Sequence, residues 1–404
     1  MIFRIAWRNI WRNKMRSLVI ILSVAIGLFA GIAVLALYKG ILNSRIHTVI
    51  YAETGHLQIH HKLFKQDNEP QFIIQQGEAL LAALKKNSSV KLFTTRSITQ
   101  GMLATSTGSA GVKINGIIPG KEDEVSGLGN KIIAGKGFDT TKKNQVFIGK
   151  KLADKMKLKT GGKLVLTFTD VDANMISAAF RVAAIYQSDN APLDERNVYV
   201  RLSELNQMLT IGNAFHEICV ILQNDALTDI VRQQLQQQYP EQLIESWKDI
   251  SPETDLMIDT VDTTSYIIIG IILFALAFGI VNTMLMAILE RTQEIGVMMA
   301  LGMNRIRLFL LVFLETVFLT LIGTPVGLAV AWILTLYYQR HGLNWSSAGE
   351  EVMRSFGFSS MIYPEFPTEK IIAVIGIVLF TALASCIYPA IKALQLQPVE
   401  ALRK

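Results

Sequence analysis

The chain has 404 residues, 50% of them hydrophobic and 18% charged, with a formal net charge of +6. That balance is too apolar for a soluble protein of this size and points to a membrane protein carrying a substantial polar domain. The positive charge gathers at the flanks of apolar runs, which assigns it to anionic membrane lipids and excludes nucleic acid as its partner.

Residues 1–17, MIFRIAWRNIWRNKMRS, read as an amphipathic interfacial helix. Arg4, Arg8 and Arg12 recur every fourth residue, and Phe3, Trp7 and Trp11 repeat with the same spacing on a neighbouring stripe. Residues 18–38 are the first of four apolar runs that reach the roughly twenty residues needed to cross a bilayer core of about 30 Å. Length and glycine spacing predict a retained signal anchor there, not a cleaved signal peptide. Gly27 and Gly31 make a small-xxx-small pair of the kind that lets helix backbones approach closely, in a bundle or a dimer.

Residues 39–265 form a polar block with mixed signals. Segments 163–169, 180–186, 198–201 and 217–222 read as strands from their β-branched and aromatic content, and 78–86 and 227–238 read as helices. Gly161-Gly162 and residues 135–137 punctuate turns. A block of this length buries one α+β core. Residues 254–265, polar and free of Gly and Pro, extend the second apolar run as a stalk. His56, His60 and His61 read as exposed surface histidines, because no acid or thiol stands near them in sequence and His61 would point away from the other two in a strand.

The second apolar run is 266–289. After it, residues 290–307 interrupt the hydrocarbon-like sequence with charge, small residues and methionines. As one helix, this segment puts Ile295, Met299 and Gly302 on one side and Glu290 and Glu294 one turn apart on another, with Arg291 three residues from Glu294. Two readings stay open: a surface helix that carries motion from a soluble partner into the bilayer, or an ordinary loop. The third run, 308–338, holds a second glycine pair, Gly323 and Gly327, and Pro325 between them predicts a kink. Glu315 lies well inside that run, where a carboxylate is costly. It is either a functional group or a helix-packing contact. A polar loop, 339–369, precedes the fourth run, 370–391, which Tyr388-Pro389 is expected to end. Residues 392–404 form a tail.

Cations set the orientation. Arg4, Arg8, Arg12, Lys14 and Arg16 precede the first run, Arg291, Arg305 and Arg307 lie between the second and third, and Lys392, Arg403 and Lys404 follow the fourth. The positive-inside rule then puts both termini and residues 290–307 in the cytoplasm, and the two polar segments outside. Cys219 and Cys386 fall on different sides of that arrangement, so no disulfide is expected. No GxxxxGK[ST] phosphate loop is present: GIIPGKED at 116–123 has neither its spacing nor its hydroxyl. No serine elbow or HExxH occurs either. No catalytic residue, metal site or cofactor site is therefore expected in this chain.

Four stretches carry a resemblance. WRNIWRNKMRS ahead of the first run, the segment 116–168 from GIIPGKEDEVSGL to KLVLTF, ERTQEIGVMMALGMNR at 290–305 and YPAIKALQLQPVEALR at 388–403 resemble the permeases of the MacB/FtsX-like ABC transporter superfamily, which includes the lipoprotein-releasing (LolC/LolE-type) permeases. The resemblance implies a bacterial inner-membrane protein with four transmembrane α-helices and a large α+β extracytoplasmic domain, the MacB-like periplasmic core, inserted between helices 1 and 2. It implies a second permease chain, the same or homologous, and a cytoplasmic ABC ATPase dimer that would hold the ATP and magnesium. On that pattern Glu290, Arg291, Glu294, Ile295 and Gly302 occupy coupling-helix positions, and Pro398, Glu400, Ala401 and Leu402 occupy the tail motif. Such permeases move their external domains by long-range coupling, without passing substrate through a central channel.

GHLQIHHKLF at 55–64 and IYPEFP at 362–367 lean toward the lipoprotein-releasing branch. That branch implies extraction of lipoproteins or another lipophilic substrate from the outer leaflet, and a periplasmic lipoprotein chaperone as a partner. Residues 170–179 depart from it, lacking the proline-bearing hook with which one such permease captures its chaperone, which shifts chaperone docking to a partner chain. The alternatives are export of a peptide or antibiotic from the periplasm, and activation of a signal or a cell-wall hydrolase.

Overall fold

The computed structural model describes residues 2–12, 14–344, 346–359 and 361–394, so the tail motif at Pro398, Glu400, Ala401 and Leu402 lies outside the described residues. Two compact units divide the chain. A helical unit takes Met1–Leu42, Ile258–Leu343 and Ile362–Lys404, and a sheet domain takes Asn43–Met257 and Asn344–Met361.

Among the described residues, four helices are long and apolar enough to cross a membrane: Ser17–Thr54, Pro252–Glu290, Arg305–His341 and Ile371–Lys392. Helices suit hydrocarbon because they satisfy every backbone N–H and C=O within the segment. Three of them outrun their apolar sequence. The first continues past residue 38 to Thr48 and closes in a π-helical segment, Val49–Thr54. The second begins at Pro252, so the polar stretch 254–265 is a helical extension of it. The third passes through Pro325 and remains one helix from Arg305 to His341. Tyr388-Pro389 does not end the fourth, which runs from Ile371 to Leu394. An isolated proline removes one hydrogen bond, and an apolar surrounding leaves a helix no cheaper alternative.

Ile20, Val24, Leu28 and Ile32, spaced by four, make the buried stripe of the first helix, and they pack with Ile280, Met284, Leu308, Leu319, Val374 and Val378. Gly323 and Gly327 meet the first helix backbone to backbone. A Cβ on Gly323 would stand 2.9 Å from the Ile21 carbonyl oxygen, and one on Gly327 would stand 2.6 Å from that of Ala25. Gly27 and Gly31 serve other neighbours, Leu276 at 3.1 Å and Val374 at 3.7 Å. The glycine pairs thus close the bundle within this chain. The N-terminal helix, Ile2–Arg12, buries Ala6 and Ile10. Phe3 and Trp7 set their rings edge-on to Phe318, with centroids 4.7 and 5.5 Å away.

Among the described residues the main sheet of this domain has ten strands: β1 Leu57–His61, β2 Val90–Thr105, β3 Gly108–Ile117, β4 Ile132–Gly135, β5 Gln145–Gly149, β6 Lys163–Thr169, β7 Met175–Tyr186, β8 Asn197–Arg201, β9 Glu217–Leu222 and β10 Gln242–Ser246. They pair in the order β10-β1-β9-β2-β3-β8-β5-β7-β4, with β6 against β2 and β7. Pairing is antiparallel except for β3 with β8 and β5 with β7. β6 alternates, burying Leu164, Leu166 and Phe168, whereas central β9 is buried at every residue. Leu103, Ile114, Val146, Leu166, Phe180 and Val198 lie in one core, and Leu57, Leu80, Ile218, Val220, Val231 and Ile244 in another.

Two expectations need correction here. His56 and His60 are not surface histidines: both are buried, on or beside β1. The segment 339–369 is not one free loop either, since Asn344–Met361 belongs to the sheet domain. Arg354 anchors it, with Nε 3.1 Å from the Ser188 carbonyl oxygen and the guanidinium 3.6 Å from the Asp194 carboxylate.

Candidate functional site

The segment after the second span is not one helix. Its backbone breaks at Arg291 (φ −103°, ψ 15°), resumes as a helix over Thr292–Ala300, and turns at Gly302, whose φ of +88° favours glycine. Asn304 then caps the third span, its side chain accepting from the Ile306 amide at 3.4 Å. The expected stripes change accordingly. Glu290 ends the preceding helix and Glu294 sits in the next, so the two carboxylates do not share one helical face. Gly302 lies beyond the helix that holds Ile295 and Met299, while Ile295 is buried and Met298, Met299 and Met303 pack against the same core.

The break places Arg291 where three elements meet. Its Nη1 lies 3.4 Å from Glu315 Oε1 on the third span, its Nη2 lies 3.5 Å from the Asn9 carbonyl oxygen of the N-terminal helix, and its Nε lies 4.0 Å from Glu294 Oε2. Arg291 and Glu315 are 11% and 9% exposed in their side chains, so Glu315 is a buried, paired carboxylate. Arg12 donates to Glu294 from the N-terminal helix. The ionic chain Arg12–Glu294–Arg291–Glu315 therefore ties the short helix to the N-terminal helix and to the third span. A cavity of about 40 Å³ lies beside it, lined in part by Asn9, Met284, Met298 and Leu311. Breaking a buried ion pair by removing one partner costs about 3–5 kcal/mol, whereas the intact pair adds little net stability, so its value is in fixing geometry.

Sequence reasoning singled out Glu290, Arg291, Glu294, Ile295, Gly302 and Glu315, and the structure joins Arg291, Glu294 and Glu315. It leaves Glu290 exposed and Gly302 in open space, with nothing within 4 Å of an added Cβ. Arg12 and Asn9 were missed as members. Arg12 was visible only as one of a stripe of cations, and its contact with Glu294 spans 282 residues.

The outer surface of this junction mixes apolar and charged groups. Val297, Leu301 and Ile306 are exposed, and so are Glu290, Arg305 and Arg307.

The sheet domain contains a separate buried ionic cluster. Arg96 grips both oxygens of Glu122, at 2.7 and 2.9 Å, and reaches Glu217 at 2.7 Å. Glu217 in turn lies 3.1 Å from His60 Nε2. Burial alone would raise the Glu217 pKa, but Arg96 and the His60 hydrogen bond outweigh it and hold the carboxyl well below the usual range. Burial pushes the neighbouring Cys219 thiol up to about 12, which leaves it inert as a nucleophile. Among the described residues, no group of three or more His, Cys, Asp or Glu side chains is placed to hold a metal ion. The GIIPGKED stretch forms the end of β3 and a helix, Pro119–Ser126, that delivers Glu122 to Arg96.

Comparison with known proteins places these features. Residues 17–238 match the MacB-like periplasmic core domain, and residues 266–398 match the FtsX-like permease C-terminal region, which includes Arg291, Glu294 and Glu315. The chain is 23% identical to the lipoprotein-releasing system transmembrane protein LolE of Haemophilus influenzae, across 99% of this chain and 98% of that protein. It is 20% identical to the lipoprotein-releasing system transmembrane protein LolC of Xylella fastidiosa, across 72% of each. It is 27% identical to the macrolide export ATP-binding/permease protein MacB of Bdellovibrio bacteriovorus, across 57% of this chain and 30% of that protein.

Proposed function

This chain belongs to the FtsX-like permeases with a MacB-like periplasmic core, a membrane component of the LolC/LolE/MacB type of ABC transporter, and from that premise we propose that it extracts lipoproteins or a related lipophilic substrate from the outer leaflet of the bacterial inner membrane. The end-to-end correspondence with a lipoprotein-releasing protein supports this substrate class over macrolide or peptide export, where the similarity to macrolide export proteins covers at most 52% of the relatives found. In this arrangement both termini and residues 290–307 are cytoplasmic, as their cations favour. A separate ATPase dimer supplies ATP hydrolysis and docks on the face made by Val297, Leu301, Ile306, Arg305 and Arg307. A second permease chain completes the transporter. The β6–β7 connection is a short turn in which the Asp170 carboxylate accepts from the amides of Asp172 and Asn174 at 3.0 and 2.8 Å. A periplasmic chaperone therefore docks on that second chain where it is a homologous chain with a longer connection, and not on a second copy of this one.

The position of Arg291 carries the mechanism. It is held by Glu315 and the Asn9 carbonyl, so a push on Thr292–Ala300 displaces the third span and the N-terminal helix together. Nucleotide-driven motion needs such an element with two arrangements that a partner can bias. Proteoliposomes holding the chain, its ATPase and an acylated protein test this. Glu294→Lys should insert normally and leave ATP hydrolysis running while release of the acylated protein falls. Equal release by mutant and wild type overturns transmission through Glu294, and release of a peptide but no acylated protein overturns the substrate class.

A further inference from the structure

The chain passes between its two units at residues 42–43, 257–258, 343–344 and 361–362. Within the sheet domain, one buried guanidinium joins three of the segments that make these passages. Arg45 stands near the end of the first helix, Lys14–Thr48, just inside the sheet domain, and is 6% exposed. Its Nη1 donates to Glu53 Oε1 at 2.7 Å and its Nη2 to Glu53 Oε2 at 3.5 Å, a two-pronged grip on the π-helical segment Val49–Thr54. The same Nη1 reaches the Gly357 carbonyl oxygen at 3.4 Å, in the connection between the third and fourth spans. Nη2 also lies 3.9 Å from Glu253, in the first turn of the helix that becomes the second span.

The connection has a fitted seat on this side chain. Gly357 has a φ of +76°, and a Cβ there would stand 3.0 Å from Arg45 Nη1 and 3.2 Å from Asn190 Nδ2. A side chain at 357 would therefore be strained by its backbone and crowded by two donors. Asn190 closes the cluster. Its Nδ2 donates to Glu53 Oε1 at 2.8 Å, and its Oδ1 accepts from the Leu193 amide at 3.2 Å, capping the helix Ala191–Arg196. Arg354, three residues before Gly357, holds the neighbouring Ser188 and Asp194. Burial separates the Arg45–Glu53 pair from an ordinary surface contact: its side chains are 7% and 9% exposed, so it fixes geometry.

We infer that Arg45 is a positioning residue for transport, an outer clamp that binds the first helix, the second helix and the connection between the third and fourth spans to the sheet domain. The inference rests on the transport reading above. A displaced third span pulls on the connection, which is continuous with it in sequence. With Gly357 seated on Arg45, that pull reaches Glu53 and Asn190 and moves the sheet domain. With the seat lost, the connection yields and the domain lags behind the spans. Arginine suits the role because its planar fork serves several acceptors at once, whereas a lysine ammonium is a single point charge.

Hydrogen–deuterium exchange of the full chain in lipid nanodiscs, alone and bound to its ATPase, tests the clamp. Gly357→Ala spoils the seat while keeping the Arg45–Glu53 pair, and Arg45→Lys keeps a charge beside Glu53 while losing the fork. Each should raise exchange at residues 350–359 several-fold, with the sheet strands as protected as in the wild type and unfolding midpoints close to it. Gly120→Ala, in the same domain and with nothing within 4 Å of its added methyl, should change nothing. With the ATPase bound, ATP should shift exchange at 350–359 in the wild type and in neither variant. In proteoliposomes both variants should release several-fold less acylated protein per ATP while hydrolysis continues, a split that a merely structural residue would not produce. Three results overturn the clamp: no ATP-dependent shift in the wild type, unchanged exchange in both variants, or a loosened connection with wild-type release per ATP. A wild type that shows the shift, loses it in both variants and releases no acylated protein supports the clamp and overturns the substrate class.

Discussion

Arg96 pairs with two buried carboxylates at once in the sheet domain. It neutralises Glu122 and Glu217, both about 1% exposed, and Glu217 also takes a hydrogen bond from the His60 ring. Removing the guanidinium strands two buried carboxylates. Arg96→Met should therefore destabilise the domain by about 3–5 kcal/mol in denaturant unfolding of the full chain, and adding Glu122→Gln and Glu217→Gln should recover part of the loss. His216 gives the pH counterpart. Burial lowers its pKa, while its Nδ1 accepts from the Ile98 amide and its Nε2 donates to the Pro70 carbonyl. The folded state thus prefers neutral His216, and the stability it contributes is complete above the unfolded pKa of about 6.5 and declines as pH falls below that value. Thermal midpoints of wild type and His216→Gln should differ most near neutral pH and converge toward pH 5. A gap that widens on acidification contradicts this assignment.

At the scale of elements, glycine placement decides how the spans pack. The first span offers the third its bare backbone at Ile21 and Ala25, and Gly323 and Gly327 accept it. Gly327→Val forces the helices apart and should cost about 1–3 kcal/mol in thermal unfolding, the range for overpacked interiors. Gly279→Ala, with nothing within 4 Å of the new methyl, is the control and should change little. These helices were legible in sequence because hydropathy alone defines a span, and β6 and β9 were legible from their β-branched content. β2 was not. Its centre, TTRSITQ, is polar yet buried at Thr94, Arg96, Ser97 and Thr99, because partners reach it from 26 to 121 residues away in sequence. The same cause hid the histidines, whose acids Asp225 and Glu217 are 169 and 157 residues distant. In the candidate site, the residue types at Glu290–Gly302 were visible, but the break at Arg291 was not, since no Pro or Gly marks it.

For the whole molecule, the coupling proposed above offers motion two routes out of Thr292–Ala300. Two ionic links leave it: Arg291 to Glu315 on the third span, and Glu294 to Arg12 on the N-terminal helix. They differ in kind. The first is buried and fixes geometry. The second joins side chains about half exposed, so its loss should cost under about 1 kcal/mol of stability. A large functional effect from that second pair would therefore report transmission and not folding. Arg12→Glu and Glu294→Arg should each sharply reduce release per ATP hydrolysed in proteoliposomes, while unfolding midpoints stay near wild type. The double swap restores the attraction with its sign reversed and should restore release. If Arg12→Glu is silent while Glu315→Gln uncouples, motion leaves through the third span alone, and the N-terminal helix is an anchor.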